Sequence, residues 1–151
     1  MPGGKVLKTT DVHELVIESD VFINVPVLKS HGSTKLTIAM KNLMGNVWDR
    51  RWWHLGNLHQ CIADFTAYRK PDLNIVDAYR VMVKNGPRGT GPGDVVMMKS
   101  QILSSDIVAA DTAAARLFGM KEEEVRHIMI AAEKGLGQGD LNKLKIKRIT
   151  I

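Results

Sequence analysis

Apolar and polar positions along this chain fall into two kinds of pattern, one with the short period of strands and one with the longer period of helices. The apolar run from Val21 to Leu28 is interrupted by Asn24 and Pro26. It predicts a strand ending near Lys29, and Pro26, lacking an N–H, excludes the middle of a fully paired ladder. "TIAMKNLM" places Ile38, Met40, Leu43 and Met44 at spacings compatible with a short helix, with Gly45 at its end as the left-handed cap. Leu58, Ile62 and Phe65 recur at helical spacing, and "PDLNIVDAY" follows with the apolar core of a strand. Residues 84–94 hold four glycines and two prolines and predict a loop.

"QILSSDIVAADTAAARLFGM" passes from a short strand to a helix, with Ser104 or Ser105 available as its cap. "KEEEVRHIMIAAEKGLG" predicts a second helix, acidic in its first turn, with Lys134 in its last and Gly135 as its stop. "LKIKRITI" alternates and predicts a half-exposed strand. Strands alternating with helices argue for an α/β domain, with helices packed on a mixed or mainly parallel sheet.

A chain of 151 residues suits one such domain. Composition changes the picture little, since 44% hydrophobic and 25% charged residues are ordinary globular proportions. No apolar run approaches the roughly 20 residues of a membrane span, and no secretory signal opens the chain, so the expected location is cytoplasmic and no membrane partner is expected. Cys61 is the single cysteine. It excludes an internal disulfide, and an iron–sulfur cluster held by this chain alone, and reads best as a packing residue. The net charge of +5 would suit nucleic acid. However, the basic residues lie in three separate groups, Lys29 to Arg51, Arg69 to Arg88 and Lys143 to Arg148, interleaved with acids and without a recognition motif. A small anion is the expected partner, and no specific nucleic acid is expected.

Candidate chemistry begins where the first strand should stop. In "KSHGSTK", Gly32 permits close backbone approach, Ser33 and Thr34 could cap a following helix, and Lys29 and Lys35 add charge, which together describe either an anion site or an exposed polar turn. The spacing of a Walker loop is missing. His54 and His59, five apart, do not share a helical face, so a metal pair made from them alone is not expected. Asp77 closes the run "LNIV", where its carboxylate could face a ligand or cap a turn. "WDRRWW" gathers three tryptophans with two arginines within six residues, in a loop or irregular hairpin that reads as a cover or an interface, with homo-oligomerisation one consequence.

Taken in order, "INVPVLKSHGSTKLTIAMKNLMG", "HLGNLHQCIADF", "PDLNIVDAY", "NGPRGTGPG", "SSDIVAADTAAARLFGM" and "GLGQGD" resemble the domain of unknown function family numbered 362, over nearly everything from Asp20 to Asp140. The resemblance implies a chain forming the carboxy-terminal part of a larger family domain. It also implies association with ferredoxin-like iron–sulfur modules, whose cysteine clusters are absent here. The family's polar signature falls on Lys29, His31, Thr37, Lys41, Asn42, His59, Asp64, Asp77, Asp106 and Asp111. It supplies no reaction.

Two functions follow as expectations. In the first, an enzyme or enzyme remnant binds a small anion through Lys29, Gly32, Ser33, Thr34, Lys35 and Asn42. His31, His59 and Lys41 carry its chemistry, and Asp64 and Asp77 could hold a divalent cation. In the second, a non-catalytic accessory docks a ferredoxin-like protein through "WDRRWW", or the same segment joins two copies.

Overall fold

The computed structural model of the protein describes residues 1 and 3–150. A mixed five-stranded sheet carries helices, as the α/β pattern predicts. Its centre is β4 (Leu73–Met82), and β5 (Val95–Ser104) runs antiparallel along one edge. Along the other edge, and parallel to it, lie β1 (Ile23–Asn24) and β2 (Val27–His31), with Ile23 opposite Leu73 and Val27 opposite Asp77. They are two halves of one predicted strand, interrupted around Pro26, whose carbonyl still accepts the Asp77 N–H at 2.8 Å.

Beyond Lys29 the structure departs from the expectation. The strand continues to His31, turns through residues 32–34 and returns as β3 (Lys35–Thr37), pairing His31 with Lys35. "KSHGSTK" is therefore a β-hairpin tip and not the entry to a helix. Thr34 is fully buried and donates its hydroxyl to the Leu36 carbonyl, a local bond that helps close the hairpin. Lys35 takes a left-handed φ of 64° to make the return.

Alternation along β4 assigns the two sheet faces: Asn74, Val76 and Ala78 are buried, whereas Leu73, Ile75 and Asp77 are only half-buried. The buried face carries α5 (Ile107–Leu117), whose Ala109, Ala110, Ala114 and Ala115 let it approach the strands closely. Asp106, rather than a serine, caps α5 by accepting the Val108 and Ala109 N–H groups. Its second oxygen accepts from Gln138 N, and Gly137 lies so near that a Cβ would sit 2.0 Å from Asp106 Oδ1. On α5 packs α6 (Arg126–Glu133), which in turn packs on α4 (Leu58–Tyr68). The short α2 (Ala39–Asn42) lies between α4 and α5, and α1 (Glu14–Glu18) belongs to the amino-terminal segment.

Two further expectations change. "WDRRWW" forms a short helix, α3 (Arg51–Leu55), and drives Trp53 completely into the core, 5.8 Å from the Phe65 ring centre. A large apolar side chain gains most from that burial, which leaves Trp48, 90% exposed, as the surface ring of the three. The predicted strand "LKIKRITI" does not form over residues 145–150, which are exposed and find no strand to pair with among the described residues; Ile151 lies outside them. The glycine loop 84–94 is a loop, organised by the Asp94 carboxylate, which accepts from Asn85 Nδ2 at 2.7 Å and Gly91 N at 3.2 Å. Those bonds account for it as a turn.

Candidate functional site

Where β2 ends, four of the chain's five histidines gather around one lysine. His31 comes from β2, Lys41 from α2, His54 from α3, His59 from the first turn of α4, and His127 from the first turn of α6. Ligands of α/β proteins bind at this position, beyond the carboxyl ends of parallel strands and facing helix amino termini. Asn57 sets the start of α4 by accepting the Gln60 N–H at 3.2 Å, which places His59 in the first turn.

Lys41 is the centre of the group. Only 9% exposed, its ammonium approaches Met44 Sδ at 3.6 Å and meets no carboxylate within ion-pair distance among the described residues. Burial, and then the positive charges of Arg50 and Lys29, push its pKa down to about 8. The imidazoles respond in the same sense. Burial lowers His31 to about 4, reinforced by Lys41, His54 and Lys29. His54 is lowered by burial, Lys41 and Arg50. His59 is lowered by burial, Arg126 and Lys41, against an opposing hydrogen bond with the Ser33 backbone. His127 is fully buried and falls to about 3 through burial, His59, Lys41 and His31. Near neutral pH these are neutral rings around a desolvated cation, in a field that favours an anion.

The rings are arranged in two pairs. His31 and His54 lie 6.4 Å apart between ring centres with planes 25° apart, and His31 Nδ1 accepts the Ser33 N–H at 3.2 Å across the hairpin tip. His59 and His127 meet through their Nδ1 atoms at 3.2 Å. Beneath them Asp111, fully buried on α5, accepts the Ala39 N–H at 2.7 Å and the Met40 N–H at 3.2 Å. It thus fixes the amino terminus of α2, and with it the residue next in sequence, Lys41. Burial raises the Asp111 pKa to about 7, outweighing those two hydrogen bonds.

The structure brings Lys29, His31, Lys41 and His59 together, with Ser33 at the edge. Gly32 belongs to the hairpin tip. It does not bring Thr34, whose hydroxyl is bonded inside the hairpin, and Lys35 is exposed on the return strand. Asn42 donates at 2.8 Å to Asn24, which in turn donates at 3.0 Å to Asn74, so its amide is tied into a polar relay between α2 and the sheet.

Asp64 and Asp77 are not brought together. Asp64 is buried on the helical side, bonded to Val6 N, Leu7 N, Gln60 and Lys134, while Asp77 points to the other face of the sheet and accepts the Tyr79 N–H. Each carboxylate has its own partners and the sheet stands between them. Among the described residues no three His, Cys, Asp or Glu side chains are grouped to hold a metal ion.

His54, His127 and Arg50 were absent from the expected set. His127 carried a signal, since it shares the buried face of α6 with Ala131 one turn on, and a histidine in an apolar stripe calls for a partner. In the sequence His54 stands out only for a metal pair and Arg50 only within the tryptophan segment, and nothing local points them toward Lys41.

Comparison with known proteins agrees with the motif series. Residues 1–116 match the family described as Domain of unknown function (DUF362), and the chain belongs to that family. It is also similar to a thylakoid-associated protein of Synechocystis sp., 31% identical over 103 residues, an alignment covering 63% of this chain and 31% of that protein. The chain thus spans about a third of the length of the relative it matches. No solved structure matches. Among the described residues no helix is long and apolar enough to cross a membrane.

Proposed function

We propose that the chain binds a small anion, of the phosphate or carboxylate class, against Lys41, and that His31 and His59 exchange protons with it. The supporting observation is the desolvated Lys41 ammonium, with no carboxylate partner among the described residues and with four imidazoles around it. A buried cation without a counter-ion is costly, and an anionic ligand would supply the missing charge. Lys29 and Arg50 add attraction from the rim. Neutral imidazoles can donate through one nitrogen and accept through the other, which suits acid–base work on a bound anion.

The test is titration with inorganic phosphate, followed through the Lys41 side chain and the histidine ring signals by NMR. Saturable shifts of Lys41, His31 and His59 together, lost in Lys41→Met, are expected. Unmoved Lys41 signals at millimolar phosphate would sink the proposal.

A second reading has its own support in Trp48 and Leu55, exposed by 90% and 89%, which flank Arg50 and Arg51. Arginines flanked by an exposed apolar pair suit an acidic protein partner such as a ferredoxin, or a second copy. Sedimentation of the wild type and Trp48→Ala, each with and without ferredoxin, separates those outcomes. A monomer that ignores ferredoxin in both forms would eliminate both.

A further inference from the structure

Inward from the site, two imidazoles and a carboxylate lie in series. The Nδ1 atoms of His59 and His127 are 3.2 Å apart, while the ring centres are 5.4 Å apart with planes 24° from parallel. The two distances differ by about the radii of two imidazole rings, so both nitrogens lie close to the line between the centres. The rings therefore meet edge to edge in nearly one plane and are not stacked face on face. This is the geometry of an N–H···N hydrogen bond, one ring donating and the other accepting. It does not suit a metal ion on that line, which would need about 4 Å between the nitrogens.

On the other side of the His127 ring, Nε2 is buried with no hydrogen-bond partner among the described residues, and Asp111 Oδ2 stands 3.9 Å away. An orphaned ring nitrogen beside a buried carboxylate needs an explanation beyond packing.

We propose that Asp111 and His127 form a proton relay ending on His59, so that a proton taken up at His59 Nε2 comes to rest on Asp111. It rests on the assignment of His59 as a group that exchanges protons with the anion. At the start, Asp111 is a carboxylate, His127 carries its proton on Nε2 and His59 carries its own on Nδ1. His59 accepts a proton at Nε2 and gives its Nδ1 proton to His127 Nδ1, and His127 gives its Nε2 proton to Asp111 Oδ2. Each ring gains one N–H bond and loses one, ending neutral as the opposite tautomer. The carboxylate becomes a carboxylic acid, and one proton has been added in total.

The surroundings favour that direction. His59 faces Arg126 and Lys41, with the Ser33 backbone hydrogen bond acting the other way, and His127 faces Asp111 as well as Lys41, His31 and His59. His31 in turn faces Lys29, Lys41 and His54. The cations and imidazoles among these neighbours oppose an imidazolium, so a proton is driven through the rings toward the carboxylate and not held on them. Asp111 faces only the amides of Ala39 and Met40 among the groups that favour its charge, and burial holds its pKa near neutrality, at about 7. The 3.9 Å joint is too long for a hydrogen bond, and closes when His127, transiently cationic, is drawn to the carboxylate. His127 and Asp111 are thus positioning residues for His59.

The experiment follows the histidine ring nitrogens by two-bond 1H–15N NMR across neutral pH without any ligand, alongside the infrared band of a protonated carboxyl group. Both rings should change tautomer with one shared midpoint while staying neutral, and the carboxyl band, absent in Asp111→Asn, should grow at that midpoint. Asp111 also holds α2, so His127→Gln provides a variant with that cap intact. In it His59 should titrate alone to an imidazolium, at a midpoint displaced from the carboxyl band. Tautomers fixed across the range, or rings titrating separately to imidazolium in the wild type, would overturn the relay. Fixed tautomers with phosphate binding intact would count against the relay alone, and a tautomer exchange without phosphate binding against the anion site alone.

Discussion

Asp64 and Lys41 are both buried charges, and their surroundings are opposite. Asp64, 1% exposed, accepts from Val6 N at 2.7 Å, Leu7 N at 3.1 Å and Gln60 Nε2 at 3.0 Å, and is ion-paired with Lys134. Burial acts to raise its pKa, but the bonds from Lys134, Val6, Gln60 and Leu7 outweigh it and hold the carboxyl well below its usual range. Lys41 has a thioether for a neighbour and other cations around it, and its pKa falls toward the neutral amine. The first charge ties the amino-terminal segment to α4 and α6. The second is a stress in the fold that a ligand could relieve. Satisfaction of a buried charge, more than burial itself, separates a structural group from a candidate site.

The largest effect should come from the satisfied charge. Asp64→Ala leaves Lys134 and two backbone N–H groups without their acceptor, and should lower unfolding free energy by about 3–5 kcal/mol in urea denaturation. Phosphate affinity of the remaining folded protein should not change. A loss below about 1 kcal/mol would remove the contrast.

The unsatisfied charge should respond with the opposite sign. Lys41→Met keeps the aliphatic packing and removes the desolvation cost, so the variant should be more stable at neutral pH by on the order of 1–3 kcal/mol, while losing phosphate binding. Destabilisation with binding retained would mean that Lys41 serves the fold.

A pH series sharpens the same point. The folded pKa of Lys41, about 8, lies below its ordinary value of 10.5. Between those values the unfolded chain binds more protons, so stability contributed by this residue rises with pH from about 8 to 10.5, with a limiting slope of about 1.4 kcal/mol per pH unit. In the Lys41→Met variant that contribution should be absent, and melting curves in that window compare the two.

The smallest effect should be at the rim. His54→Ala, on the exposed end of α3, should change stability by no more than about 0.5 kcal/mol. It removes one of the charges that depress His31, so the His31 midpoint should move up from about 4 in an NMR titration. An unmoved midpoint would show that the two rings act independently.

Much of the fold was legible because burial leaves a period. The apolar core of β4, the helical spacing of Leu58, Ile62 and Phe65 in α4 and the stop at Gly135 were local signals, and the series of motifs was enough to indicate the family. The hairpin at residues 32–34 was not legible, because its polar turn residues equally suit a helix start and only the pairing of His31 with Lys35 distinguishes the two. The last residues alternate like a strand, yet alternation creates a strand only where an edge is present to receive it.

The candidate site divides in the same way. Lys29 and His31 stood out in the sequence as polar residues where the first strand should stop, and Lys41 and His59 through the polar signature that the resemblance implies. Their convergence, the entry of His127 and the pairing of Asp64 were decided by tertiary structure. His59 and His127 are 68 positions apart, and Asp64 and Lys134 are 70 apart. Hydrophobic period follows from the geometry of a single element, so sequence determined which segments would be strands or helices. The energy of a buried charge depends on what stands within a few ångströms of it, and those neighbours come from distant segments that meet only when the chain folds.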